Sequence, residues 1–308
     1  MSIVIATYDR PAALHHCLES LLGQATDRSL EILVIDNHPV SGLTAATVAQ
    51  FPRVTYLSEA RTGAAYARNT GIAVSRGPFI VTIDDDVTVP PNWLETLLSH
   101  FQRPEVGVVT GNLLPLSLEA EAEQLFEQYW GLGCGTQRFE VDGHWFAASK
   151  TAVAGWDLGA TANAAFRAEI FSDPKVGMME ETLGTGTPVG AGEDPYLFYR
   201  VVQAGHTLVY EPEAFVWHQH RQDLRALGQQ TYRYSKSAAA YHLTTWIFDG
   251  DRARSKRCSG PCPCTTFAAS FPQLSGCWTT RCLWPGGMWW ATVWAPGVCG
   301  APIVGCVG

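Results

Sequence analysis

Cysteine is scarce through most of this chain of 308 residues: only Cys17 and Cys134 lie before residue 250. That is too few for a disulfide framework, and the composition suits a reducing compartment. Positive charge is also short, with 21 Lys and Arg against 29 Asp and Glu and a net charge of −8. A nucleic-acid backbone as main partner is therefore excluded, because its binders carry a basic patch. The start lacks a signal-peptide pattern: an apolar run follows Met1-Ser2 directly and meets a turn at Asp9-Arg10-Pro11, with no basic opening. The expected location is cytoplasmic. No GxGxxG follows that first run, which sets aside a dinucleotide-dependent oxidoreductase. No internal repeat is present.

What remains is ordinary globular composition, 46% hydrophobic and 16% charged, enough for a sizeable core. Short apolar runs at residues 3–6, 30–35, 54–57, 79–83 and 106–110 read as buried strands. Helical periodicity fills the gaps between them. Asp9 can cap a helix with Pro11 in its first turn, and Leu14, Leu18, Leu21 and Leu22 share one face before Gly23. Helices are expected near residues 44–50, 63–75, from Pro91 onward, and over 119–129, while 139–146 reads as extended. Glu193-Asp194-Pro195 opens a helix that runs to Gln203, followed by a strand at 208–210. Alternation of continuous apolar strands with helices predicts an α/β fold, a mostly parallel central sheet with helices on both faces. Ligands of such sheets bind at the carboxyl ends of the strands.

Acids collect at those ends. Thr7-Tyr8-Asp9-Arg10 follows the first strand, Asp36-Asn37 the second, and Asp84-Asp85-Asp86 the fourth. Three adjacent carboxylates repel one another. A divalent cation bridging them to a diphosphate would explain the cluster, since Mg²⁺ and Mn²⁺ prefer carboxylate and phosphate oxygens. A solvated acidic loop is the alternative.

Taken in order, residues 5–11 (IATYDRP), 34–37 (VIDN), 67–71 (ARNTG), 83–86 (IDDD), 192–194 (GED) and Trp217-His218 resemble the family 2 glycosyltransferases of the GT-A fold. The resemblance spans roughly residues 1–245 and is nearest to bacterial rhamnosyltransferase-like enzymes that add single sugars. It implies a cell-envelope or polysaccharide-building hexosyltransferase with Mg²⁺ or Mn²⁺ as cofactor. The donor would be a nucleoside diphosphate sugar and the acceptor a glycan or lipid-linked glycan, with peripheral attachment at the inner membrane face left open. By position, Asp36 would accept a hydrogen bond from the nucleobase, and Thr7, Tyr8 and Arg10 would line that pocket. Asp84 would meet the ribose and Asp86 the metal, although a one-residue slip would hand the metal to Asp85. Arg68 belongs to the nucleotide-side helix or to a surface ion pair. Asp194 matches the general base of an inverting displacement, or caps its helix ahead of Pro195. Glu193 is a supporting or acceptor-side residue. His218 completes the metal site or contacts the diphosphate, with His220 a weaker candidate. Asn163 and Arg167 match a segment near the donor sugar.

The expected domain is residues 1–250, with a nucleotide-binding half over about 1–115 and an acceptor-side half over 116–250. Beyond Asp251 there is no acidic residue, and beyond Arg281 no charge at all. Seven cysteines crowd this tail of residues 251–308, without the paired spacing of a zinc site. Its composition suggests an aberrant end, disordered or read out of frame. A sugar-nucleotide-binding protein without turnover, crippled by that end, is the alternative function.

Overall fold

The computed structural model describes residues 1–149 and 153–251, together with the backbone of strands at 278–284 and 287–293. The chain divides into two compact units, Met1–Asp251 and Arg252–Gly308. The first unit opens with β1 (Ser2–Thr7), α1 (Pro11–Leu22), β2 (Glu31–Asp36), α2 (Leu43–Val48), β3 (Val54–Ser58), α3 (Ala64–Val74) and β4 (Phe79–Asp84). It continues through β5 (Val87–Thr88), α4 (Trp93–Leu98), β6 (Val106–Pro115), α5 (Glu121–Tyr129), β7 (Phe139–Val141), α6 (Gly143–Ala148) and β8 (Asn163–Arg167). It closes with α7 (Glu193–Gln203), β9 (Thr207–His218) and α8 (Leu224–Asp249). Within the second unit, β10 (Trp278–Trp284) and β11 (Gly287–Val293) pair antiparallel. The expectation of a disordered or out-of-frame tail otherwise falls outside the described residues.

The strands of the first unit form one sheet in the order β3-β2-β1-β4-β8-β6-β9-β5, with β7 also on β9. β1 to β4 are parallel, and β6 and β9 run the same way, while β8, β5 and β7 oppose them. The α/β expectation holds, with an antiparallel β8 wedged into the centre. Successive strand residues point to opposite faces, and both faces are covered. Ile3, Ile5, Ile32 and Val34 pack with Leu14, Leu18, Trp93 and Leu97 of α1 and α4. Val4, Leu33 and Ile35 pack with Ala65, Ala67 and Ile72 of α3, in the same cluster as Leu197, Phe198 and Val201 of α7.

Local geometry departs from the pattern at three places. Asp9 has φ 52 and does not cap α1; its carboxylate instead accepts hydrogen bonds from Ser41 and His38 across the sheet end. The stretch expected to be extended at 139–146 breaks after Val141, because the Asp142 carboxylate accepts from the Trp145 amide and starts α6. Asp194 does not cap α7 either. That position belongs to Gly192, at φ 112, so Asp194 is the second helical residue.

α3 reaches the sheet closely because Gly71 has no side chain. A Cβ there would stand 2.5 Å from Val4 Cγ1 and 2.6 Å from Ile35 Cδ1, both in the fully buried core. Gly71→Ala should therefore overpack this seam and cost about 1–3 kcal/mol. Urea unfolding should show a lower midpoint at unchanged slope, and an unchanged midpoint would refute the tight contact.

Candidate active site

Parallel register brings three strand ends level, Thr7 of β1 opposite Asp36 of β2 and Ala6 opposite Asp84 of β4. The acidic triplet leaves β4 there, and each carboxylate goes a different way. Asp84 accepts from Arg68 Nη2 at 2.6 Å. Asp85 is buried, accepting from Thr7 Oγ1 at 2.6 Å and from Arg10 Nη1 at 3.0 Å. Asp86 accepts from the same Arg10 nitrogen through Oδ2, while its Oδ1 is buried with no hydrogen-bond partner. Burial and the neighbouring Asp86 charge push the Asp85 carboxyl up, with Arg10 opposing. Burial also acts on Asp86, but His218 and Arg10 outweigh it and hold Asp86 below the usual carboxylate range.

His218 reaches Asp86 through strand pairing. It ends β9 opposite Val87 of β5, and the Gln219 amide donates to the Asp86 carbonyl at 3.0 Å. Its Nε2 then lies 3.4 Å from Asp86 Oδ1. Asp84, Asp86 and His218 present ligand atoms that all lie within 4.8 Å of one another. Asp85, held by Thr7 and Arg10, offers no ligand atom to this group. Asp84, expected at the ribose, also belongs to this group.

Arg68 is not on the surface. Its side chain is 7% exposed, on the face of α3 that looks at the strand ends. Nη2 holds Asp84, while Nη1 donates to Glu193 Oε1 at 3.3 Å and lies 3.8 Å from Asp194 Oδ1. The rest of residues 67–71 serves this placement. Asn69 exchanges two hydrogen bonds with the backbone of Met179, and Thr70 donates to Glu59. Asn37 accepts from the Gly63 amide at the start of α3 and donates to the carbonyls of Glu59 and Arg61.

Glu193 and Asp194 come from the first turn of α7. Glu193 is buried, which raises its carboxyl; the Asp194 charge adds to this and Arg68 partly offsets it. Asp194 accepts from the Thr161 amide at 3.0 Å and from the Thr161 hydroxyl. Its side chain keeps 20% exposure against 7% for Glu193, so it is the accessible carboxylate of the two.

The remaining expected residues separate. Asp36 is fully buried, with Oδ2 accepting from Tyr56 at 2.9 Å and Oδ1 from the His38 amide at 2.9 Å. The direct nucleobase contact expected of it is not open in this structure. The exposed group beside it is Tyr8, stacked on His38 at 4.8 Å between ring centroids. Asn163 is a core pillar, accepting from Trp93 Nε1 and donating to the carbonyls of Asn112 and Ala214. Arg167 pairs with Phe79 at the opposite end of β4 and binds carbonyls of Phe101, Arg103 and Val106. Neither stands at the acidic site. Sequence reading missed Thr161 and Tyr56, whose single hydroxyls carry no pattern.

The residues fit a divalent cation. Two carboxylates and an imidazole converge from different strands, and the buried, unpartnered Asp86 Oδ1 lacks a donor that a cation would replace. Oxygen ligands suit Mg²⁺ and Mn²⁺, and the imidazole nitrogen favours Mn²⁺ of the two.

The profile of the family described as glycosyl transferase family 2 matches residues 2–145, and that of glycosyl transferase family group 2 matches residues 79–305. The chain is 33% identical over 177 residues to the pre-mycofactocin glycosyltransferase of Mycobacterium tuberculosis, covering 58% of this chain and 34% of that protein. It is 26% identical over 154 residues to the glucosyl-dolichyl phosphate glucuronosyltransferase of Haloferax volcanii, covering 45% and 46%. The chain thus spans less than half the length of these relatives. The crystal structure of S. aureus TarS superposes with a TM-score of 0.52 at 12% identity, over 80% of this chain and 43% of that one, and shows likeness of fold. Among the described residues no helix is long and apolar enough to cross a membrane.

Burial pulls His218 down, but the Asp86 carboxylate beside it, with the Asp84 charge, more than offsets it, and its pKa ends above the ordinary value. A cation on Nε2 must displace that proton. Mn²⁺ affinity should therefore fall as pH drops through the raised titration point and level off above it. Titration calorimetry in two buffers of different ionisation enthalpy should register proton release near neutral pH. The same release from His218→Gln would rule this assignment out.

Proposed function

This chain belongs to glycosyl transferase family 2, and from that premise we propose an inverting, metal-dependent transfer of one sugar. The donor is a nucleoside diphosphate sugar, and the acceptor is a hydroxyl of a glycan or a lipid-linked glycan. One observation carries the reading: Asp84, Asp86 and His218 converge on one point, and Asp194 lies across Arg68 from them. Tyr8, stacked on His38 above buried Asp36, offers an exposed ring for the donor base.

Asp194 takes the proton of the acceptor hydroxyl as its oxygen bonds to the anomeric carbon, and the bond from that carbon to the diphosphate oxygen breaks. Asp84, Asp86 and His218 would hold the divalent cation, which would supply positive charge to offset that of the leaving diphosphate. Arg68 fixes the spacing between the two halves of the reaction, because one guanidinium holds Asp84 on one side and faces Asp194 on the other. Thr161 aims the Asp194 carboxylate through two hydrogen bonds. The accessible Asp194 serves better as base than the buried Glu193, which can stay protonated beside it. The Haloferax relative is named for transfer onto glucosyl-dolichyl phosphate, which supports a lipid-linked acceptor among the alternatives. Hexose, and rhamnose in particular, rests on the sequence resemblance.

A thermal-shift screen of UDP-, TDP- and GDP-sugars, each with and without Mn²⁺ or Mg²⁺, tests the donor half. Stabilisation by one donor only with metal is expected, Mn²⁺ acting at lower concentration than Mg²⁺. Asp86→Ala should remove that metal dependence. Asp194→Asn should bind donor normally and lose turnover by about 10²–10⁴-fold, followed as nucleoside diphosphate release with acceptor present. Near-normal turnover by Asp194→Asn would overturn the base, and no release by the native chain would leave a binder without turnover.

A further inference from the structure

Two more side chains stand in line behind the His218 ring. His218 Nδ1 lies 3.0 Å from His220 Nδ1, and His220 Nε2 lies 2.7 Å from Glu127 Oε1. The ring of His220 is buried, its side chain 1% exposed, while Glu127 sits on the outer part of α5 at 26%. Phe126 packs edge-on against the His220 ring at 4.8 Å. The two histidines come together because residues two apart on an extended chain face the same way.

Hydrogen-bond chemistry gives this line a direction. An ionised carboxylate only accepts, so His220 Nε2 must carry the proton that meets Glu127. Neutral His220 then has only a lone pair at Nδ1. The contact between the two Nδ1 atoms needs one proton, and it must come from His218. A neutral His218 protonated at Nδ1 keeps its lone pair on Nε2, the nitrogen that faces Asp86 Oδ1 at 3.4 Å. Neither Glu127 nor His220 offers an atom to the cation group itself.

We propose that Glu127 and His220 are positioning residues: they set the tautomer of His218 so that Nε2 is ready to bind a divalent cation. The inference rests on the metal centre of the proposed function and adds two residues to it. Outer partners that fix a ligating histidine in this way are worth about 10–100-fold in metal affinity. A packing role alone would depend on the shape of His220 and not on which atoms donate.

The test separates direction from shape. Glu127→Gln keeps an acceptor for His220 Nε2. Glu127→Lys presents only donors, which reverses the line and leaves His218 protonated on Nε2. His220→Asn keeps an acceptor oxygen near the position of Nδ1, whereas His220→Leu fills space without one. Mn²⁺ affinity of each full-length variant is measured by calorimetry above the titration range of histidine, with circular dichroism as a folding control. Long-range ¹H–¹⁵N correlation spectra of the metal-free proteins read the His218 tautomer.

Glu127→Gln and His220→Asn should bind Mn²⁺ within about 3-fold of the native chain and keep the Nδ1–H form. Glu127→Lys and His220→Leu should weaken binding about 10–100-fold and shift His218 to the Nε2–H form. If His220→Leu fails to fold, Glu127→Lys decides, since it alters a partly exposed side chain. Native affinity and an unchanged tautomer in Glu127→Lys overturn the relay while leaving the metal centre standing. No Mn²⁺ binding by the native chain overturns the metal centre and the relay with it.

Discussion

The Arg68 guanidinium is the interaction on which the site depends. It is buried at the strand ends and pairs with Asp84 while facing Glu193 and Asp194, so carboxylates from β4 and α7 share one cation. Burying a charge is costly unless it is paired and hydrogen-bonded, and here the pairing partners are themselves functional groups. The placement of α3 delivers this side chain: Gly71 lets the helix close on β1 and β2, Asn37 ties its start, and Asn69 ties its middle to the loop at Met179.

Charge balance follows from the same place. Asp84, Asp85, Asp86, Glu193 and Asp194 pair with Arg10 and Arg68, and Arg221 adds a third positive charge felt at Asp86. Burial and like charge raise the carboxyls of Asp85 and Glu193, which makes those two the acids that give up their charge most readily. Asp86 stays ionised, with one oxygen bare. A site that raises two acids and lowers the one facing His218 concentrates its negative charge at that point.

Distance along the chain disguises how local the site is. Asp86 and His218 meet because the short β5 pairs with the end of β9, and the backbone bond from Gln219 to Asp86 locks that register. Asp194 meets Thr161 because α7 packs beside the segment leading into β8. Asn163 and Arg167, within a few residues of Thr161, serve the core and the far edge instead. Neighbours in sequence thus divide between chemistry and support according to which way a strand presents them.

The alternation of apolar runs and helical periods determined the α/β class by itself, because continuous apolar strands can be satisfied only when both faces of a sheet are covered. The acids at the strand ends were equally legible, since a parallel sheet puts every strand's carboxyl end on one edge. Tertiary structure alone decided the jobs. Three adjacent aspartates are indistinguishable on paper, and they part only where Thr7, Arg10, Arg68 and His218 arrive from other elements. Whether Arg68 is a surface pair or a buried fork, and whether Asp36 is open or sealed by Tyr56, depends on what packs above it. Burial and partner geometry are properties of the assembled fold, and no local string of residues encodes them.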